Sequence, residues 1–371
     1  MYQQTPVLWL KKHSKNYKNN NFKGTIQMKI AIVFGGSSYE HEISIVSSIA
    51  MKEVLKNELI YIFCDQNREF FEIPKKIIKS KLFSSGEYKK CDKLNIAKGG
   101  FFKKSMLGQK AIEFDVVLNL THGGDGEDGV LASLFEFFSI PFIGPRVEAC
   151  SVSSHKFLTK GYAASVDVKT IPYVFYTKGD AMSVTNFPVI VKPVRLGSSI
   201  GVSIVKSQEE LEYACDVAYE FDNAIIIEPF ISGVKEYNLA GTKINGEFVF
   251  SIIEEPQKVE FLDFDKKYLD FSRTSGAVEA PLEAFLQEKI KDSFKKLYNT
   301  LFEGSLIRCD FFVVDNEVYI NEINSIPGSM ANYLFSDFNT LLNSLAQNLP
   351  TRKTITINYE YVNKIHSCKG K

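Results

Sequence analysis

The sequence predicts an α/β protein whose first region is built on a parallel sheet. Two patterns carry this prediction. The apolar run at 29–34 ends in a pair of glycines and is followed by a helical pattern at about 42–56. The strand pattern at 115–120 leads through a glycine-rich loop into a second helical pattern. Strands that alternate with helices form parallel sheets, and the ligands of such sheets lie beyond the carboxyl ends of the strands.

Later parts of the chain are predicted to be richer in strands. Residues 75–110 are rich in Lys, Ser and Gly and show only a weak pattern, and residues 255–282 show no clear period, which is typical of a functional lid or of a disordered segment. We predict helices at 151–165, 284–302 and 329–346, and a frayed end beyond Lys364. Strands are predicted at 171–176, 188–192, 199–205, 224–231, 236–242, 246–254, 305–314 and 316–323.

Length, charge and cysteine content exclude several classes of protein. The chain has 371 residues, which suggests two or three domains, and its 44 basic and 44 acidic residues give no net charge to attract a nucleic acid. A hydrophobic fraction of 45% is typical of a globular protein, and no apolar run is long enough to span a membrane. The six cysteines are scattered without a CxxC pair, which argues against a zinc site and against a disulfide scaffold.

The first 27 residues differ from the rest of the chain. They contain five lysines and no acidic residue, and their apolar stretch at 6–10 is too short for a signal peptide. We expect a disordered basic extension ahead of Met28; the alternative is a basic targeting arm.

The strongest local signal is an apolar strand that delivers Lys192 into Pro193, followed by a turn that contains Gly197, Ser198 and Ser199. Glycines let backbone N–H groups approach an anion, and the lysine supplies a positive charge for phosphate. The pattern is not a Walker loop, which needs GxxxxGK[ST]. The alternative is a hairpin with a surface lysine.

A candidate metal site follows about a hundred residues later. Arg308 and Asp310 alternate on one predicted strand, and Glu322 and Asn324 alternate at the end of the next. If these strands pair, Asp310, Glu322 and Asn324 come together as three hard oxygen ligands that suit Mg²⁺. The alternative is a set of solvent-facing acids at a strand edge.

Two weaker signals stay open at this point. The apolar strand ending at Glu228 could bind a nucleotide base, with the Glu236 carboxylate bound to the ribose hydroxyls, or it could be an ordinary core strand. The acidic, glycine-rich loop 124–129 could bind Ca²⁺, but the EF-hand spacing is absent and the loop more naturally caps a helix.

Taken in order along the chain, the motifs resemble those of D-alanine–D-alanine ligases of the ATP-grasp superfamily, from about Met28 to Ala346. The motifs are Phe34-Gly35-Gly36-Ser37-Ser38-Tyr39-Glu40-His41-Glu42-Ile43-Ser44, His122-Gly123 through Glu127-Asp128-Gly129, Lys192-Pro193 with Gly197-Ser198-Ser199-Ile200-Gly201, Lys267-Tyr268-Leu269, Arg308-Cys309-Asp310, and Glu322-Ile323-Asn324 with Pro327-Gly328. Each motif is weak by itself, and the set in this order is specific.

The resemblance implies a role for each matched residue. It implies that Lys156 and Lys192 contact the phosphates of ATP and that Ser198 and Ser199 lie in the loop over them. It places Glu228 by the adenine, Glu236 by the ribose and Lys267 in the lid. Two Mg²⁺, which Mn²⁺ can replace, would be held by Asp310, Glu322 and Asn324. For catalysis, the resemblance implies that Glu42 holds the ammonium of the first D-alanine and that Arg308 lies over the reacting carboxyl group. The Gly328 N–H would donate to the oxyanion, and Glu42, Ser198 and Tyr268 would form a hydrogen-bonded link.

The resemblance also implies an architecture and a reaction. We expect a three-domain α/β ATP-grasp fold with a basic extension at 1–27, a substrate domain at 28–144, a central domain at 145–228, a C-terminal domain at 229–350 carrying the lid 255–282, and a tail at 351–371. The expected enzyme is a cytoplasmic ligase that uses ATP to join two D-alanine molecules for peptidoglycan. We expect a homodimer without nucleic-acid or membrane partners.

Three other functions compete with this one. D-lactate or D-serine could be the second substrate, although Tyr268 after Lys267 is similar to the dipeptide-forming members of the family. A silent nucleotide-binding module is disfavoured by Arg308, Lys192 and the metal-ligand acids, and a carboxylase of the same superfamily is disfavoured by Glu42 and Tyr268. His122 could be a substrate-side hydrogen-bond partner or only a turn residue.

Overall fold

The fold is taken from a computed structural model of the chain, which describes residues 28–106, 108–256 and 277–368. The strands of these residues form three sheets of eight, four and five strands. Within the described ranges, no helix combines the length and the apolar character needed to cross a bilayer.

The first sheet occupies the N-terminal third of the chain. Its strands are β1 (Lys29–Gly35), β2 (Glu58–Cys64), β3 (Phe70–Ile73), β4 (Asp92–Ala97), β5 (Gly100–Ser105), β6 (Gly108–Ala111), β7 (Val116–Asn119) and β8 (Phe142–Ile143). They lie in the order β6-β5-β4-β3-β2-β1-β7-β8. The pairs of β1 with β2, β1 with β7 and β7 with β8 are parallel, and the other pairs are antiparallel. The parallel centre confirms the predicted α/β class.

Strand β1 is apolar from Ile30 to Phe34 because both of its faces are covered there. Ile30, Ile32 and Phe34 pack into one core cluster, and Ala31 and Val33 pack into another on the opposite face. This is the burial that a central parallel strand requires.

The helix after β1 is fixed at the carboxyl end of the sheet by one serine. Helix α1 spans His41–Val54. Ser44 in its first turn accepts a hydrogen bond from the Gly35 N–H at 2.8 Å and donates to the Leu120 carbonyl at 2.5 Å. Gly35 has a φ of +97°, and a Cβ there would lie 2.2 Å from the Cys64 carbonyl oxygen, so only glycine allows this turn.

The second sheet is antiparallel and carries the lysine strand. It consists of β10 (Val174–Thr177), β11 (Val189–Pro193), β12 (Ser203–Val205) and β13 (Ala224–Pro229), in the order β10-β13-β11-β12. Between β12 and β13 lies a helix, Gln208–Tyr219, numbered α6 in chain order, whose Leu211 and Ala218 pack on Val191 and Ile225.

The third sheet carries the acidic strands. It consists of β9 (Lys169–Thr170), β14 (Lys235–Ile244), β15 (Glu247–Glu254), β16 (Ile307–Val314) and β17 (Glu317–Asn324), in the order β15-β14-β16-β17-β9. The remaining helices are α2 (Ser80–Ser84), α3 (Val130–Phe137), α4 (Val147–Ser153), α5 (Lys156–Ser165), α7 (Ala284–Tyr298), α8 (Phe338–Gln347) and α9 (Glu360–Cys368). Helix α7 covers one face of this sheet through Ile290, Phe294 and Leu297.

Several elements differ from the sequence prediction. The weakly patterned segment 75–110 holds α2, β4 and β5, whose half-exposed and Lys-rich strands hide the alternation. The predicted helix 151–165 is interrupted between α4 and α5, where His155 caps α5 by accepting from the Leu158 N–H. The predicted end beyond Lys364 is helical in α9 up to Cys368.

The predicted helix 329–346 is also two elements. Gly328–Leu334 forms a tight turn in which Ser329, Met330 and Ala331 all have left-handed backbone angles, and α8 begins only at Phe338. The Asp337 side chain caps α8 by accepting from the Thr340 N–H at 3.1 Å. Left-handed angles at three successive residues with a Cβ are strained, which is a feature that accumulates at functional sites.

Candidate functional site

The polar face of the third sheet brings the predicted metal ligands together. Asp310 of β16 lies directly opposite Glu322 of β17, and Arg308 lies opposite Asn324. The Arg308 guanidinium donates to both carboxylate oxygens of Asp310 at 2.7 and 2.8 Å, and the Asn324 amide donates to Asp310 at 2.9 Å. The structure therefore places all four side chains on one face, as the alternation predicted.

Electrostatics at this face are dominated by burial. Burial raises the pKa of Asp310, against the opposing effect of Arg308. The pKa of Arg308 is raised above its usual value because Asp310 outweighs the effect of burial. A buried carboxyl group whose pKa is raised gains most from a further positive charge.

The donor set fits Mg²⁺. Two carboxylates and one amide oxygen are hard ligands, and Mg²⁺ usually completes its octahedron with water and substrate phosphates. Among the described residues, no group of three or more His, Cys, Asp or Glu could hold a metal by itself. The site would therefore depend on the amide of Asn324 and on the bound nucleotide.

A second charged cluster surrounds Glu228, which is 4% exposed. Its two oxygens accept from Lys160 at 2.7 Å and from Lys192 at 2.8 Å. Lys192 also donates to the Asn321 side chain at 3.4 Å, so it bridges the second and third sheets. Burial acts to raise the pKa of Glu228, but Lys192 and Lys160 together lower it. Lys160 was missed by the sequence analysis.

Removal of Lys160 is expected to destabilise the fold. Its side chain is 3% exposed. Lys160→Met leaves one of the two carboxylate oxygens of Glu228 without its ion-pair partner. We expect the free energy of unfolding in urea to fall by about 3 kcal/mol, the lower end for breaking a buried pair, because Lys192 remains. Lys169→Met is the control, since the Lys169–Glu317 pair is exposed and contributes at most about 1 kcal/mol. If both variants lose the same free energy of unfolding, the buried Lys160–Glu228 pair does not contribute more than an exposed one, and this prediction is wrong.

The Gly/Ser turn after β11 folds over Lys156. The ammonium of Lys156 donates to the Leu196 carbonyl, and its own backbone N–H donates to the Val194 carbonyl at 3.0 Å. Ser198 and Ser199 have φ angles of +54° and +58°, so the turn is held in a conformation that L residues rarely adopt. Burial lowers the pKa of Lys156.

Ser198 links this turn to the first sheet, but through a different glutamate from the one predicted. Its hydroxyl donates to Glu40 Oε1 at 2.6 Å. The prediction that Glu42 forms this link is therefore corrected to Glu40. Glu42 lies in the first turn of α1 with an exposed side chain, whereas Glu40 precedes the helix and lies between two glycine-containing loops. A Cβ at Gly123 would lie 2.6 Å from Glu40 Oε2, and one at Gly197 would lie 3.3 Å from Glu40 Oε1.

The charged groups of the three sheets act on one another. The pKa of Glu40 is raised by burial, then by the Glu127 carboxylate and more weakly by Glu322 of the third sheet. Lys156, next to the second sheet, is acted on by Glu322, Lys192, Glu228 and Glu40. Carboxylates and lysines from strands, loops and a helix beside all three sheets therefore act on one region.

His122 is buried beside this region. Its Nε2 is 2.9 Å from the Ser47 hydroxyl, and its Nδ1 is 3.6 Å from Glu127 Oε1. The Ser47 hydroxyl also accepts from the Ser329 N–H at 3.2 Å, at the start of the left-handed turn. His122 therefore belongs to a hydrogen-bonded network that joins α1 to the Pro327-Gly328 turn. A residue that only forms a turn would not need these side-chain contacts.

The remaining predicted residues divide into two groups. Glu236 lies on β14 opposite Phe312, and Gly328 is buried at the start of the left-handed turn. Lys267 and Tyr268, and most of the predicted lid, lie outside the described residues, so their part of the predicted link stays a prediction.

The acidic loop 124–129 forms a short 3-10 turn ahead of α3, and the Asp128 carboxylate accepts from the Val130 N–H at 2.9 Å. That contact agrees with the helix-capping alternative.

Comparison with known proteins gives one consistent result. A family model described as D-ala D-ala ligase N-terminus matches residues 29–145, and one described as D-ala D-ala ligase C-terminus matches residues 166–343. The chain is 59% identical over 345 residues to a D-alanine–D-alanine ligase of Wolinella succinogenes, covering 93% of this chain and 100% of that protein. It is 58% identical over 345 residues to a D-alanine–D-alanine ligase of Campylobacter jejuni subsp. doylei, with the same coverage.

A solved structure is similar in fold as well as in sequence. The crystal structure of D-alanine–D-alanine ligase from Helicobacter pylori superposes with a TM-score of 0.79 and 50% identity, covering 88% of this chain and 100% of that one. The likeness therefore extends across all three sheets.

Proposed function

Because this chain belongs to the D-alanine–D-alanine ligase family, we propose that it joins two D-alanine molecules with ATP hydrolysed to ADP and phosphate. The observation that carries the proposal is the convergence of charged groups beside all three sheets: Ser198 donates to Glu40 at 2.6 Å, and Lys192 donates to Glu228 at 2.8 Å and to Asn321 of β17 at 3.4 Å. Two substrates and a nucleotide with its metal need such a convergence of opposite charges.

The first step is transfer of the γ-phosphoryl group to the carboxylate of the first D-alanine. A carboxylate is a poor electrophile, and the transfer makes it an acyl phosphate while ADP leaves. Lys156 and Lys192 supply the positive charge for the phosphates, and the turn at Ser198 and Ser199 covers them. Bound Mg²⁺ would supply charge neutralisation at the transferred group, held by Asp310, Glu322 and Asn324.

The first D-alanine also needs a counter-charge for its ammonium group. We assign this role to Glu40, in place of the predicted Glu42, because Glu40 carries the link to Ser198. A buried carboxylate whose pKa is raised by its surroundings gains from an adjacent cation.

In the second step the neutral amine of the second D-alanine attacks the acyl phosphate. A C–N bond forms, the tetrahedral oxyanion collapses as the C–O bond to phosphate breaks, inorganic phosphate leaves, and the nitrogen loses a proton to solvent. Arg308 and the Gly328 N–H are our candidates for the oxyanion donors. Water would hydrolyse the acyl phosphate, so closure of the site is required, and we assign it to the segment that contains Lys267 and Tyr268.

The test is phosphate release from ATP with a panel of amino acids. We expect release to depend on D-alanine and the product to be D-alanyl-D-alanine. With D-alanine and D-lactate in competition at neutral pH, we expect mainly the dipeptide, because the relatives at 57–59% identity are D-alanine–D-alanine ligases. A product that is mainly the depsipeptide would show that the second substrate is wrong. Release without D-alanine dependence would refute the function.

Three further proposals concern the protein as a whole. The three-domain division at residues 145 and 229, a homodimer, and a cytoplasmic site of action all rest on the family resemblance. Sedimentation of the purified chain at two concentrations tests the dimer, which predicts about twice the 42.0 kDa mass of one chain.

A further inference from the structure

A row of polar residues crosses the third sheet at the level of the metal ligands. Glu254 of β15 lies opposite Asn238 of β14, Asn238 lies opposite Asp310 of β16, and Asp310 lies opposite Glu322 of β17. Residues that are directly opposite in an antiparallel sheet point to the same face, and their Cβ atoms are about 5 Å apart. Asn238 is therefore the immediate neighbour of Asp310 on the side away from Glu322.

The core on the other face of the sheet confirms this orientation. The neighbours of Asn238 in sequence, Tyr237 and Leu239, pack into the apolar cluster under the sheet together with Cys309 and Phe311. Alternation along the strands then puts Asn238 on the same face as Asp310.

Asn238 is buried without being satisfied. It is 6% exposed, and its side-chain oxygen has no hydrogen-bond partner among the described residues. Leaving a buried carbonyl oxygen without a donor costs about 1–3 kcal/mol. Its neighbours cannot help when ionised, because the carboxylates of Asp310 and Glu254 only accept hydrogen bonds. A missing donor next to a predicted metal site points to a ligand of the site.

We propose that Asn238 is a fourth protein residue of the Mg²⁺ site, whose amide oxygen accepts a hydrogen bond from a water molecule in the hydration shell of the cation. Mg²⁺ keeps several waters when it binds to proteins, and these waters are strong donors. The proposal rests on the proposed function, since it takes Asp310, Glu322 and Asn324 as the metal ligands. It adds a residue that neither the motifs nor the family resemblance singled out.

The test measures metal binding rather than catalysis. Mn²⁺ is titrated into the protein with a non-hydrolysable ATP analogue, and free Mn²⁺ is followed by its electron paramagnetic resonance signal. Asn238→Leu removes the oxygen at nearly the same volume, and we expect Mn²⁺ binding to weaken about three- to tenfold, the value of one hydrogen bond. The melting temperature without metal should stay the same or rise, because the unsatisfied oxygen is gone.

Asn238→Asp keeps the oxygen and adds a charge, so Mn²⁺ binding should be as tight as in the unmodified protein or tighter. Asn57→Leu is the matched control: Asn57 is also 6% exposed, but its amide oxygen accepts from Asn343 of α8 at 3.3 Å, and its amide nitrogen donates to the Met28 carbonyl. That variant should lose stability and keep its affinity for Mn²⁺.

The outcomes separate this proposal from the proposed function. If Glu322→Gln abolishes Mn²⁺ binding while folded Asn238→Leu binds within twofold of the unmodified protein, the role of Asn238 is refuted and the metal site stands. If Asn238→Asp weakens binding as much as Asn238→Leu does, the oxygen is not the contributing atom and the proposal fails. If the unmodified protein binds no Mn²⁺ with the nucleotide, the proposed metal site and the role of Asn238 fail together.

Discussion

Glu322→Gln is expected to reduce turnover by about 10²–10³-fold, because it removes one of two carboxylates from the metal site and with it several kcal/mol of transition-state stabilisation. Glu322 lies opposite Asp310 on the polar face of the third sheet. Glutamine has nearly the same shape, so the fold should be retained. The measurement is D-alanine-dependent phosphate release at saturating Mg²⁺, together with the circular dichroism spectrum of the variant.

The same strand provides a matched control. Glu317 begins β17 and forms exposed ion pairs with Lys169 and Lys289. Glu317→Gln removes a carboxylate from the same strand without reaching the metal face, so turnover should change by less than about twofold. Unchanged turnover in folded Glu322→Gln, or an equal loss in Glu317→Gln, would contradict the metal assignment.

The pairs of residues that share a face on each strand of the metal site could be predicted from the sequence, because alternation along a strand is local. Arg308 with Asp310, and Glu322 with Asn324, share a face through the two-residue period of a strand. The two strands are joined by Asp315-Asn316, whose φ angles of +50° and +61° are those of a tight hairpin turn. The turn sets the register from Val314 opposite Glu317 to Phe311 opposite Ile320, and a one-residue shift after Phe311 then brings Asp310 opposite Glu322. That irregularity leaves no signal in the sequence.

Lys160 was missed although a signal was present. It follows Lys156 by four residues on α5, and residues at that spacing lie on one helix face. Its partner Glu228 is on a strand more than sixty residues later. The sequence therefore indicates a two-lysine face, but only the fold, in which α5 packs on β9 and β17 and Lys160 reaches Glu228 of β13, identifies what that face neutralises.

The choice between Glu40 and Glu42 depended on a helix boundary. Both glutamates belong to one motif and are separated only by His41. Glu40 faces the site because α1 begins after it, at His41, and the loop before α1 passes beside Gly123. Helix starts are uncertain by one or two residues when read from sequence, and here a shift of two residues exchanges a site residue for a surface one. The left-handed turn at 329–331 was missed for a related reason, since the apolar residues there resemble a helix start.

The same pair of glutamates gives the second large effect. Glu40→Gln is expected to weaken binding of the first D-alanine about a hundredfold, because the ammonium loses a buried counter-charge. The glutamine oxygen can still accept from Ser198, so binding of the ATP analogue should change little. Glu42→Gln is the internal control, since its side chain is exposed, and it should change D-alanine affinity by less than about threefold. Calorimetry with D-alanine and with the ATP analogue measures both ligands for each variant.

The pH dependence separates a binding role of Glu40 from a structural one. Burial and the neighbouring carboxylate of Glu127 raise the pKa of Glu40, so it takes up a proton at a higher pH than an ordinary glutamate does. The ammonium needs the ionised form, and therefore D-alanine affinity should fall as the pH falls through this raised pKa. In Glu40→Gln the affinity is already low and should not change over the same range, whereas Glu42→Gln should keep the full dependence. A pH profile that disappears in Glu42→Gln and persists in Glu40→Gln would return the ammonium site to Glu42.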